Sequence, residues 1–419
     1  MTIVYAFGNF AADADQPAFI RLASNWPRHG RQCTLGDAHL MDSIQLTREL
    51  IALESMNPGG SETACAQHLG ALLDKAGFAI RYHEFAPGRT SLVASRGGSP
   101  GSQHLCFAGH IDTVPLGNAA WSVDPFAGEI RDGKLYGRGS TDMKAGIAAF
   151  VTAAIEMGAV LDDGPGMLLI MAAGEETGCE GSRPLGAALA KEFSVGAMVI
   201  AEPTYNLPKV GHRGAFWLRM TASGKSAHGS MPEHGINALY KAARAAGKLE
   251  DFDFNIARHP LLGGNSLSVG NMHAGQNVNL VPDHAVMEVD IRTIPSVDHE
   301  QLREGLRGYL GEDIDSAEAF VDLDSVWTDP DHPWMQTVFD LVTPHLGERP
   351  EVAALPFFTD AAVLQPAFDN VPTVILGPGD THMAHQTDEF CTVDRIPVAV
   401  RMYQDIVSSW ARQHSREQL

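Results

Sequence analysis

HLCFAG (residues 104–109), KAGIAAFVTAAIEMG (144–158), MLLIMAAG (167–174) and AMVIAEP (197–203) decide the fold. Three are short apolar runs of strand length, and the second is long enough for a buried helix. Strand and helix alternating in this way predict an α/β fold with a mostly parallel sheet flanked by helices. The same style returns late in the chain: a helical stretch near Trp334 to Leu346, an apolar TVILGPG (373–379) and a final helix near Val398 to Trp410.

Between these two regions the rhythm changes. AFWLRMTA (215–222), INALYKAARAAGKLE (236–250), NSLSVGN (265–271), AVMEVDIRT (285–293), HEQLREGLRGYL (299–310) and AEAFVDL (317–323) read as βαββαβ, the ferredoxin-like order. The expected organisation is therefore a catalytic α/β domain in two parts, 41–213 and 326–419, interrupted by an inserted domain at 214–325. Residues 1–40 lack sustained periodicity and read as an N-terminal extension; a clean helical pattern opens only with MDSIQLTRELIAL at Met41.

Composition narrows the function. The 419 residues carry 30 Lys+Arg against 51 Asp+Glu, a formal net charge of −21, with 44% hydrophobic and 19% charged residues. Such a chain buries a real core rather than staying disordered. Without a basic run it lacks the footprint that nucleic acid or an anionic membrane requires. The apolar stretch around Ala145 to Ile155 falls short of the ~20 residues of a membrane helix. MTIVYAFGNF, broken by Gly8 and Asn9, makes a poor secretory signal, so a cytoplasmic protein is expected. Five scattered cysteines without a CxxC pair imply neither a disulfide framework nor a thiolate zinc cage.

Four of the apolar runs lead into polar groups: HLCFAG into His110 and Asp112, MLLIMAAG into Glu175 and Glu176, AMVIA into Glu202, and TVILGPG towards His382 and His385. Ligands in open α/β sheets bind beyond the carboxyl ends of strands, where these side chains would converge. Asp142, between LYGRGST and the helix starting near Met143, caps that helix or faces the same crevice. Taken singly, each has an ordinary structural explanation. Together they place several carboxylates in one crevice, which is strongly unfavourable unless cations compensate.

Imidazole with carboxylate oxygens suits zinc, with cobalt or manganese as substitutes, and the absence of nearby thiolates fits a hydrolytic site. Two divalent ions supply +4 against −3 from Asp142, Glu176 and Glu202, leaving charge for a hydroxide. One further carboxylate must then stay unligated as general base.

The segments GHIDTVP (109–115), GRGSTDMK (137–144), GEE (174–176), AEPT (201–204), SAHGSMPEHGIN (226–237) and GPGDTHMAHQTDEF (377–390) resemble, in order, those of the M20 metallopeptidases. The chain looks most like the acetylornithine deacetylase and succinyl-diaminopimelate desuccinylase branch, and the resemblance runs from about Met41 to the end. It implies a zinc-dependent exopeptidase fold with an inserted dimerisation or lid domain. It implies one zinc on His110, Asp142 and Glu202, and another on Asp142, Glu176 and His385, with Asp142 bridging. Glu175 remains as base, Asp112 orients the His110 ring through its second N–H, and the peptide after Asp142 is cis. His385 is preferred to His382 because HxxxE, His385 to Glu389, matches the family pattern.

In the inserted domain, the resemblance assigns His228 to the partner subunit's active site, where it polarises the scissile carbonyl. Asn279 and Arg292 match substrate-contacting positions, and a guanidinium fork suits a carboxylate. Three decoys fail: no apolar strand is expected to lead directly into GGSPG (97–101) and its Pro100 removes the N–H that would donate to an oxyanion, GKS (224–226) lacks the first phosphate-loop glycine, and GRGSTD has Asp142 at the third glycine position. The expected protein is a homodimeric di-zinc amidohydrolase acting on an N-acyl amino acid or short peptide. A dipeptidase or carboxypeptidase on the same scaffold is the alternative enzyme, and a catalytically silent metal-binding or assembly protein is the alternative of a different class. An unligated Glu175 disfavours the last, since binding alone has no use for a base.

Overall fold

The computed structural model describes residues 42–98, 101–162 and 164–415. The expected N-terminal extension and Ser99 and Pro100 of the GGSPG loop lie outside the described residues.

Strands Met167–Ala172, His104–His110, Val195–Ile200 and Thr373–Ile375 lie side by side in that order and form the parallel centre of a mixed sheet. Antiparallel strands complete it on both sides. The hairpin Ala79–Ala86 and Arg89–Arg96 pairs onto Met167–Ala172; its second strand runs directly into Gly97, so GGSPG does follow a strand, contrary to the expectation from sequence. Lys209–His212 and Val326–Trp327 extend the other edge, where Ala353–Leu355 joins in parallel.

Continuous apolar runs are needed because both faces of this sheet are covered. Leu105, Phe107, Leu169, Met171 and Val199 pack with helices Thr63–Lys75, Ala145–Met157, Pro333–Leu346 and Arg395–Ser415. Their neighbours in sequence, Cys106, Ala108, Leu168, Ile170 and Met198, pack on the other face with Ser182–Leu189 and Ala361–Ala367. Helix Ala145–Met157 is buried on every side over residues 145–154. It approaches so closely that a Cβ at Gly146 would lie 2.0 Å from the carbonyl oxygen of Ala201. With its flanking turns the helical stretch Ser140–Leu161 reaches 22 residues, longer than its apolar run, and is long and apolar enough to cross a membrane. Its most apolar window is 72% buried inside the protein, the pattern of a core helix.

Residues 214–323 build a second, antiparallel sheet in the order Ser266–Ala274, His284–Thr293, Gly214–Ser223, Ser316–Leu323. Helices Ala238–Glu250 and His299–Leu310, capped by the side chains of Asn237 and Asp298, share its core of Leu218, Met287, Val289, Leu249 and Leu306. Leu323 pairs with Ala215, so the chain enters and leaves this sheet at neighbouring points.

Candidate active site

The parallel strands deliver the polar groups to one crevice. His110 ends its strand, Asp112 follows two residues later, Glu175 and Glu176 follow Met167–Ala172, and Glu202 follows Val195–Ile200. Asp142 arrives from the turn Ser140–Lys144, ahead of helix Ala145–Met157, and its peptide bond to Met143 is cis.

Two groups of side chains form there, His110 with Asp142 and Glu202, and Asp142 with Glu176 and His385; within each, the donor atoms lie within 4.8 Å of one another. Asp142 belongs to both. Its Oδ1 is 3.1 Å from His110 Nε2, and its Oδ2 is 3.5 Å from His385 Nε2. Glu202 Oε1 approaches His110 Nε2 at 3.8 Å, and Glu176 Oε2 approaches His385 Nε2 at 3.1 Å. A carboxylate that offers one oxygen to each of two imidazole-containing groups fits a pair of divalent cations.

The electrostatics agree with that donor set. An uncompensated buried ion costs on the order of several kcal/mol, against a folding free energy of only ~5–15 kcal/mol. The carboxyls must therefore gain protons or cations. Burial, reinforced by neighbouring carboxylates, raises Glu175 and Glu202 well above the ordinary carboxylate range and raises Glu176 as well. Burial also opposes ionisation of Asp142, but His110 and His385 outweigh it and hold this carboxyl well below that range. Burial alone would lower His110, yet Asp112 and Asp142 carry it well above the imidazole range. Asp142 and Glu176 push His385 up to about 10.

Glu175 is buried beside the two groups and belongs to neither. Its main-chain N–H donates to Asp112 Oδ1 (3.1 Å), and that of Glu176 donates to Asp112 Oδ2 (3.3 Å). Asp112 differs from the expected pattern in one detail. His110 Nδ1 lies 3.0 Å from the main-chain carbonyl of Asp112 and 3.6 Å from its carboxylate, so the carbonyl takes the shorter contact. The carboxylate braces the Glu175–Glu176 backbone instead.

His382 stands outside both groups, exposed, with its N–H on Asp380 Oδ1. His228 is exposed, its Nδ1 2.7 Å from Ser230 Oγ in its own loop, and it belongs to neither group. Exposed Asn279 lies against the same loop, its carbonyl accepting the Gly229 N–H. Arg292 Nε and Nη2 sit on Asp290, with the guanidinium 5.8 Å from the Trp217 ring and 5.9 Å from the Phe358 ring.

Sequence reasoning missed several supports. Asn57 Nδ2 bridges Asp112 (3.0 Å) and Glu62 (2.7 Å), and Arg89 pairs with Glu62. Asp360 is buried close enough to His110, Glu175 and Glu202 to interact with all three, and burial pushes its carboxyl up to about 6.

Residues 106–409 match the model of peptidase family M20/M25/M40. The chain belongs to this family. It is 30% identical over 404 residues to a probable succinyl-diaminopimelate desuccinylase of Staphylococcus epidermidis, covering 88% of this chain and 98% of that one. Its fold resembles an M20 metallo-carboxypeptidase from Sulfolobus solfataricus, with TM-score 0.74, 16% identity, and 89% and 100% of the two chains covered. It also resembles a dinuclear metal-binding M20 peptidase from Bacillus subtilis, with TM-score 0.65, 18% identity, and 88% and 98% covered. This M20 protein is a metal-dependent hydrolase of amide bonds with a candidate metal site at His110, Asp142 and Glu202.

Proposed function

We propose that this M20 hydrolase removes the acyl group, succinyl or acetyl, from an N-acyl amino acid at a two-zinc site. The observation that carries this reading is Asp142, which faces His110 with one oxygen and His385 with the other while Glu175 stays apart. His110, Asp142 and Glu202 would hold one ion, and Asp142, Glu176 and His385 the other. Ions bound there supply Lewis acidity, polarising the scissile carbonyl and acidifying water. Glu175 takes the proton of the attacking water and passes it to the leaving amine as the C–N bond breaks. Asp112, through its carbonyl on His110 and its carboxylate under Glu175 and Glu176, keeps ligand and base in register.

The acyl specificity follows the desuccinylase relatives, whose length this chain spans almost entirely. Incubation with N-succinyl, N-acetyl and dipeptide substrates tests it. N-acyl amino acids should be cleaved fastest; faster cleavage of unblocked dipeptides would make the protein a peptidase instead.

Residues 214–325 are, in this reading, a dimerisation unit that brings His228 of the partner subunit to the site as an oxyanion donor. Support comes from apolar surface around the His228 loop: Val278 is 99% exposed, Tyr240 64% and Ile236 56%. Several such side chains together mark a surface meant for covering. Asn279 and Arg292 bind the polar ends of the substrate. Nε and Nη2 hold Asp290, and among the described residues Arg292 Nη1 makes no hydrogen bond, so it could meet a carboxylate. Arg292→Lys should therefore slow hydrolysis of substrates with a free α-carboxylate and hardly change their carboxamide analogues. Equal slowing of both would make Arg292 structural.

A further inference from the structure

Four residues beyond His385, the carboxylate of Glu389 is fully buried and collects four hydrogen bonds. Oε1 accepts the main-chain N–H of Thr141 (2.9 Å) and of Asp142 (3.1 Å). Oε2 accepts the N–H of Gly139 (3.1 Å) and Nη1 of Arg138 (2.6 Å). The Glu389 carbonyl takes the N–H of Gly137 at 2.9 Å. Thr141 and Asp142 belong to the turn that delivers Asp142, and Gly137, Arg138 and Gly139 lead directly into it. Arg138, itself buried, also donates from Nη2 to the carbonyl of Pro115 (3.1 Å) in the segment that follows Asp112. An ion pair with Arg138 alone would engage one oxygen, so the three main-chain donors need another explanation.

We propose that Glu389 is a positioning residue for the two-metal centre, fixing the Asp142 backbone against the His385 segment and so setting the span between the two groups of ligands. The inference rests on the two-ion reading above. A carboxylate suits the role because both its oxygens only accept. In Glu389→Gln, whichever way the amide lies, its NH₂ faces two donors. Glu389→Asp keeps the charge but is one methylene too short to reach the turn.

Titration of the metal-free full chain with cobalt(II), followed by visible absorption and by heat, tests this. Wild type should take up two equivalents per chain. In Glu389→Gln with unchanged far-ultraviolet circular dichroism, the second equivalent should bind ~10–100-fold more weakly, the usual loss when a group supporting a metal ligand is removed. Turnover should fall with KM near wild type. A folded Gln variant that binds both equivalents with wild-type affinity overturns the proposal. Should that variant not fold, Glu389→Asp decides by the same criterion, and failure of both to fold overturns it in favour of a purely structural role. If wild type itself takes one equivalent, the two-ion reading fails instead. Glu389 is then judged on that single ion, and unchanged affinity in its variants overturns its role.

Discussion

Glu175→Gln should keep its bound metal and lose ~10²–10⁴-fold in turnover, the range for removal of a general base. The two neighbours in the sequence are separated by geometry: Glu176 faces His385 at 3.1 Å within a group of potential ligands, whereas Glu175 is outside both groups. The backbone of each is held by Asp112, so replacing either side chain leaves the loop in place. Glu176→Ala should instead release metal, with activity falling as a consequence. Metal analysis of the two purified variants beside their turnover numbers decides the matter. Equal metal loss in both would reverse the assignment.

His228→Ala should cost roughly 10²–10³ in turnover without loss of metal, the effect of removing one oxyanion donor. His228 lies on the segment between Gly214–Ser223 and Ala238–Glu250, whereas the candidate ligands belong to the region of the parallel sheet. If it serves the partner's site, two inactive chains complement each other. A His228→Ala chain keeps its own ligands and base, and a Glu175→Ala chain still offers His228, so a mixed dimer holds one complete site. It should recover up to half of wild-type activity. Verified subunit exchange without recovery would remove the cross-subunit role and leave the metal assignment standing.

The parallel centre of the sheet was legible because burial on both faces forces unbroken apolar runs, and such runs are visible without partners. The convergence of His110, Asp142, Glu176, Glu202 and His385 was legible for a related reason: each follows a recognisable element or motif, and strand ends converge. The hairpin Ala79–Ala86 and Arg89–Arg96 carries no such mark, since its outer strand is only partly buried and mixes Arg81, His83 and Glu84 with its apolar residues. The supports of the site were hidden by distance along the chain. Asn57 meets Asp112 across 55 residues, and Glu389, visible only as the acid of HxxxE, meets Thr141 across 248. Nothing in the spacing of one polar residue announces a partner so remote. Asp360 follows the apolar PFFT and precedes a short helix, where it reads as an ordinary helix-start aspartate.

In the proposed function, amide hydrolysis depends on metal held by His110, Asp142, Glu176, Glu202 and His385. The most direct test of this dependence is to strip the chain with a strong chelator, confirm the loss by metal analysis, and return zinc or cobalt in measured equivalents while following hydrolysis of an N-acyl amino acid. The stripped chain should be inactive, and the rate should return in full as the second equivalent per chain is bound. Metal-free protein that retains complete activity would contradict a metal-dependent mechanism.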